Sequence, residues 1–176
     1  MATPPFIIEL RKKIGHDPLW LIGVTAYVED DAGRILLGKR ADSGEWAPVY
    51  GIVDPDEEPA DAAAREVMEE TGIAVDVEHL VRVRSQKDLT VYDNGDQVQY
   101  LDLMFLCRPA ATGSGADTPY VADDESLDVG WFAPDALPSP LAASALERFD
   151  ALKRWRERAA TGDPSSLFGK RRQCLN

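Results

Sequence analysis

The sequence predicts a mixed α/β fold from three observations. Strand-like apolar runs and helix-like periodic segments alternate irregularly along the chain, clusters of Gly, Asn, Asp and Pro separate them, and residues 51–73 carry helix start and stop signals around a run of glutamates. The 176 residues, 44% of them hydrophobic, suit one domain with a real core, and no internal repeat or second unit is visible.

Residues 6–14 have the spacing of a short amphipathic helix. Residues 20–29 and 34–40 are β-rich runs joined by the turn Asp30-Asp31-Ala32-Gly33, and their arrangement predicts a hairpin. Pro59–Thr71 is a helix: Pro59 suits its first turn, Ala60, Ala62, Ala63 and Ala64 favour it, and Gly72 is placed to end it in the left-handed conformation. Residues 75–84 and 97–108 read as strands, the second preceded by the turn Asp93-Asn94-Gly95-Asp96, and residues 127–132 as a third. Residues 141–158 return to helical spacing, with Leu141, Ala145, Leu146, Phe149, Leu152 and Trp155 apolar, before the break Thr161-Gly162-Asp163-Pro164. A loop is expected over residues 111–117 and a short basic end at Gly169-Lys170-Arg171-Arg172.

Composition excludes several functions. A formal charge of −12 disfavours nucleic-acid polymers as partners, although a small anion can still bind where cations and a few arginines reverse the local potential. No apolar run approaches a membrane span, and Met-Ala-Thr-Pro-Pro lacks the layout of a signal peptide, so a cytoplasmic protein without membrane partners is expected. Cys107 and Cys174 are too few for a disulfide framework, and Cys107 is expected in a strand. His16 and His79 have no Ser or Cys partner in view for nucleophilic catalysis.

The glutamate helix carries the chemistry. At about 100° per residue, Glu66, Glu69 and Glu70 share a sector roughly 100° wide, while Ala60, Ala64, Val67, Met68 and Thr71 form the opposite stripe, the one expected to pack on the core. Like charges at i, i+3 and i, i+4 repel by a few tenths of a kcal/mol each. Either water or a hard cation must offset that repulsion, since clustered carboxylate oxygens are what Mg²⁺ requires. Gly51 and Asp54-Pro55-Asp56 make a tight lead-in to the helix.

Residues 51–73 match G-x5-E-x7-R-E-U-x-E-E-x-G-U, with U apolar, at every fixed position, which chance would produce at a given start with probability below roughly 10⁻⁸. The segment resembles the Nudix box, and the resemblance covers roughly residues 21–155 of the 176-residue chain. It implies the Nudix fold, a mixed β-sheet sandwiched between α-helices. It also implies an enzyme that cleaves the pyrophosphate linkage of a small nucleotide-type substrate, a nucleoside diphosphate linked to another moiety or a triphosphate, by attack of water with Mg²⁺ or Mn²⁺. On this resemblance Glu66, Glu69, Glu70 and Glu125 hold metal; Glu66, Glu69 and Glu125 serve catalysis, with Glu66 or Glu125 as the base; Gly51, Glu57, Arg65 and Gly72 have structural roles, with Glu57 and Arg65 interacting to fix the loop on the helix. Glu125 resembles the distal acidic residue that family members supply from a loop, with Asp124 its rival. Arg40 stands where members often contact phosphate. Tyr50 replaces the first of two glycines that many members carry before the box, and reads either as a packed ring or as one offered to a base or ribose. Substrate signposts are missing: ADP-ribose hydrolases have a proline where this chain has Asp88 and Leu89, and the loop around Tyr92, with Tyr100, reads equally as a base pocket or a hairpin. Two other roles stand beside catalysis: a nucleotide-sensing Nudix domain, and a protein-interaction module dimerising through the C-terminal helix and Trp155.

Overall fold

A computed structural model of the chain describes residues 3–111, 118–123 and 125–169. The loop expected over 111–117 beyond Ala111, the rival carboxylate Asp124, the basic residues Lys170, Arg171 and Arg172, and Cys174 fall outside the described residues.

In chain order the elements are α1 (Pro5–Ile14), β1 (Leu19–Val28), β2 (Ile35–Arg40), β3 (Trp46–Ala47), β4 (Val49–Ile52), α2 (Pro59–Thr71), β5 (Val75–Ser85), β6 (Thr90–Val91), β7 (Gln97–Pro109), β8 (Ser126–Phe132), α3 (Ala143–Ala160) and β9 (Leu167–Phe168). The larger sheet runs β4-β1-β7-β5-β9, with β6 on β7; β1 is parallel to β7 and antiparallel to β4, so the sheet is mixed. The smaller sheet, β3-β2-β8, is antiparallel. One face of the large sheet packs on α2 through Val24, Ala26, Phe105 and Cys107 against Ala62, Ala63 and Val67. The other packs on α3 through Tyr27, Val81, Met104 and Leu106 against Ala151, Leu152 and Trp155. A mixed sheet therefore lies between helices, as the sequence predicts. Cys107 is buried in β7, where burial pushes its thiol up to about 12.

The expected hairpin of β1 and β2 is corrected. The turn exists: Gly33 has φ 75°, its N–H donates to the Asp30 carbonyl, and the Asp30 carboxylate accepts from the Arg34 N–H at 2.8 Å. Pairing stops after the single bridge Glu29 to Ile35, and the two strands enter different sheets. The reason lies in Ile35-Leu36-Leu37, three consecutive apolar residues that are all buried. Leu36 joins the core beneath α2, while Ile35 and Leu37 join the core beneath α3. Residues 24–28 of β1 are likewise buried on both faces, so each strand is interior to its own sheet, β1 between β4 and β7 and β2 between β3 and β8.

The C-terminal helix begins two residues later than expected, at Ala143, and buries its apolar face through Ala145, Leu152 and Trp155. Trp155, expected to be available for dimerisation, is only 5% exposed. Its ring lies 5.0 Å from that of His79, and its N–H donates to the Pro164 carbonyl. Among the described residues, no helix is long and apolar enough to cross a membrane.

Candidate active site

Helix α2 has the predicted bounds, with Pro59 in its first turn and Gly72 at φ 70° closing it, but its rotation differs from the sequence expectation. Its packed face holds Ala62, Ala63, Glu66, Val67, Glu70 and Thr71, whereas Met68 is 44% exposed. Alanines let the helix lie close to the sheet, and the stems of Glu66 and Glu70 ride along that face. Glu66 and Glu70 are thus 6% and 9% exposed, and Glu69 points to solvent. The three carboxylates do not share a solvated flank.

Gly51 explains how Glu66 is accommodated. It lies within β4, paired with Val24, and a Cβ built there would stand 2.1 Å from the Glu66 Cγ. The expected role for Gly51 in a tight turn is replaced by one of space: the missing side chain is the slot for Glu66, whose Oε1 accepts the Ile52 N–H at 3.3 Å. The unusual backbone in the lead-in belongs instead to Asp56, at φ 67°.

Arg65 gathers the remaining box carboxylates. Its Nε donates to Glu57 at 2.8 Å and its Nη2 to the other Glu57 oxygen at 3.1 Å and to the Ile52 carbonyl at 3.2 Å. Its Nη1 reaches Glu69 at 2.9 Å and Glu66 at 3.0 Å. Glu57 in turn accepts the Asp54 N–H, tying the loop to the helix, and the Arg65 hydrogen bonds hold its carboxyl below the usual range.

Glu70 belongs to a second group. It lines a cavity of about 260 Å³ with Arg40, Asp42, Tyr50, Glu125 and Ser126. Backbone bonds bring Glu125 there: the N–H groups of Tyr120 and Ala122 donate to the carbonyls of Thr71 and Glu70 at the end of α2, and Ala41 at the end of β2 donates to the Glu125 carbonyl at 2.8 Å. Gly72 admits this loop, because a Cβ there would stand 2.1 Å from the Tyr120 ring. Arg40 is paired with Asp42 at 2.9 Å through Nε. The Tyr50 ring carries the Arg148 guanidinium 4.4 Å from its centroid, and its hydroxyl lies 3.1 Å from that of Ser144.

The electrostatics set this region apart. Burial pushes the Glu70 carboxyl up to about 8, helped by the charges of Glu125, Glu66 and Asp123 and opposed by Arg40. Burial likewise lifts Glu66 to about 7 against the pull of Arg65. Among the described residues no three acidic, His or Cys side chains already converge as a ligand set. The donor chemistry nonetheless fits a hard cation, since Mg²⁺ is typically held by one or two carboxylates with substrate phosphates completing its shell.

Sequence reasoning missed the α3 side of this site. Arg148, Ser144, the buried Thr25 and Arg82 and the half-buried Asp102 form one hydrogen-bonded network behind Tyr50. Arg148 sits among the apolar positions used to find the helix, and no local pattern marked it. Tyr92 and Tyr100, by contrast, hydrogen-bond each other at 2.8 Å in the β6–β7 hairpin, whose turn closes from the Tyr92 N–H to the Asp96 carbonyl.

The fold is that of a known class of hydrolase. The chain matches the NUDIX domain over residues 20–153 and belongs to the Nudix family of hydrolases. It is 35% identical over 136 residues to a MutT-like protein of Streptomyces ambofaciens, covering 77% of this chain and 79% of that one. It is 32% identical over 142 residues to the 8-oxo-dGDP phosphatase NUDT18 of mouse and of human, covering 81% of this chain but 39% of each relative. Among solved structures it resembles a MutT Nudix hydrolase from Burkholderia pseudomallei, with a TM-score of 0.60 and 32% identity over 76% of this chain and 98% of that one.

Proposed function

We propose that this Nudix hydrolase cleaves the pyrophosphate linkage of a nucleoside diphosphate derivative or nucleoside triphosphate, by attack of water and with a divalent cation, Mg²⁺ or Mn²⁺. One observation carries this reading: Glu70 and Glu125 face a cavity that Arg40 and Tyr50 also line, so carboxylates, a phosphate-binding cation and an aromatic ring share one small space. The activity of NUDT18 on a nucleoside diphosphate supports a substrate of this type.

Each residue has a definable part. Glu70 and Glu125, with Glu66 and Glu69 within the same acidic run, would hold the cation, which when bound supplies positive charge against the developing phosphoryl charge. Glu66 or Glu125 takes the proton from the attacking water. Arg40 engages phosphate oxygens, and Tyr50 packs on the base or ribose. Glu57 and Arg65 keep the loop before α2 in place. A protein of charge −12 would otherwise repel such a substrate, so the same cation also makes the cavity receptive.

The test is incubation with Mg²⁺ or Mn²⁺ and a panel of ADP-ribose, nucleoside di- and triphosphates, dinucleoside polyphosphates and NADH, with detection of released phosphate species. Metal-dependent turnover of at least one supports the reading. Tight nucleotide binding without turnover would instead favour a sensor.

A further inference from the structure

Arg148 is built to present a flat face. Its Nε donates to the Thr25 hydroxyl at 2.9 Å, its Nη1 to the Ser144 carbonyl at 3.1 Å and its Nη2 to Asp102 at 3.3 Å, and the side chain is 14% exposed. With every nitrogen engaged, the guanidinium carbon lies over the Tyr50 ring, 4.4 Å from its centroid, where a planar cation can stack. Charge balance alone does not require this arrangement. Asp102 already has Arg82 at 3.0 Å and the Thr25 hydroxyl at 2.7 Å, and Arg82 is itself braced by Glu147.

Tyr50 is held from α3 at two points, its ring by Arg148 and its hydroxyl by Ser144, one helical turn earlier. Its β4 backbone is fixed by pairing with Thr25, the residue that also orients Arg148. We infer that Arg148, aided by Ser144, is a positioning residue that fixes the Tyr50 ring as a rigid wall of the substrate cavity, so that α3, far from the Nudix box in sequence, sets affinity for the ring-bearing part of the nucleotide. The inference rests on the cavity being the substrate site. A wall immobilised before binding loses less freedom when substrate arrives, so its effect falls on substrate affinity rather than on the chemical step.

The experiment compares KM and kcat for wild type, Tyr50→Ala, Arg148→Met, Arg148→Lys and the double variant Y50A/R148M, on whichever nucleotide the wild type turns over, with melting temperatures alongside. Tyr50→Ala and Arg148→Met should each raise KM about tenfold with kcat within about threefold, and the double variant should be no worse than Tyr50→Ala alone. Arg148→Lys keeps the charge beside Asp102 but has no plane to stack and cannot make all three hydrogen bonds, so it should fold with a melting temperature between those of wild type and Arg148→Met while KM stays high. Losses that multiply in the double variant, or a wild-type KM in Arg148→Lys, would overturn the inference. If Arg148→Met does not fold, the KM of Arg148→Lys decides alone. No turnover by the wild type on any nucleotide removes the substrate-site reading itself, an outcome distinct from active enzyme with an unchanged KM.

Discussion

The Glu66 side chain occupies the space that a side chain at Gly51 would need: a Cβ on residue 51 would stand 2.1 Å from the Glu66 Cγ. A glycine in the middle of β4 and a glutamate on α2 are thus one fitted pair, which sets how closely the helix approaches the sheet. Gly51→Ala should push Glu66 out of its slot, lowering kcat/KM by about a hundredfold and stability by about 1–3 kcal/mol. Kinetics and urea unfolding of the variant check this; unchanged values in both would refute the fit.

The crowded carboxylates predict a pH-dependent stability that metal should remove. The folded-state pKa of Glu70 is raised to about 8 and that of Glu66 to about 7. Groups raised in this way favour the folded chain fully below the ordinary carboxyl range, and the contribution is lost as pH climbs through the folded values. Metal-free protein should therefore weaken between about pH 5 and 8, and Glu70→Gln, which cannot ionise, should melt about 5 °C above wild type at pH 8.5. Mg²⁺ should narrow that gap by stabilising wild type. Thermal melts at pH 5.5 and 8.5 decide it, and a Glu70→Gln melting point at or below wild type at pH 8.5 would count against the account.

Met68 and Val67 test the rotation of α2. The apolar periodicity of the sequence assigns both to the core, yet Val67 is fully buried and Met68 is 44% exposed. Met68→Gln should change stability by no more than about 0.5 kcal/mol, and Val67→Ala should remove about 2 kcal/mol. Equal losses from both in chemical denaturation would restore the rotation that the sequence suggested.

Why the helix was legible and its rotation was not follows from its residues. Pro59 and Gly72 act through the backbone, so the ends of α2 could be read from local rules. The packed face is built from Ala62, Ala63 and the stems of two glutamates, which hydrophobicity scores poorly, and the space that admits Glu66 lies on β4. The same limit applies elsewhere. Ile35-Leu36-Leu37 showed an apolar strand but not that β1 and β2 separate into two sheets. Glu125 could be picked out, but the bonds from Tyr120, Ala122 and Ala41 that bring it to the cavity are tertiary. Arg148 left no trace in sequence, because its role depends on Tyr50, Thr25 and Asp102 from three separate strands.

Trp155 tests the C-terminal helix. Buried against His79 and the core between α3 and the sheet, it holds the helix down rather than offering a surface. Trp155→Ala should remove about 3–5 kcal/mol of stability. A variant as stable as wild type, but altered in oligomeric state by size-exclusion chromatography, would return Trp155 to the surface.

The central claim is that acidic groups of α2 and Glu125 bring a divalent cation to a nucleotide pyrophosphate in the Arg40 and Tyr50 cavity. The most direct measurement is nucleotide hydrolysis by wild type and Glu70→Gln in EDTA and after adding back Mg²⁺ or Mn²⁺. We predict no turnover in EDTA, recovery with metal, and a loss of about a hundredfold or more in Glu70→Gln even at saturating metal. Full activity in EDTA, or wild-type rates from Glu70→Gln, would contradict it.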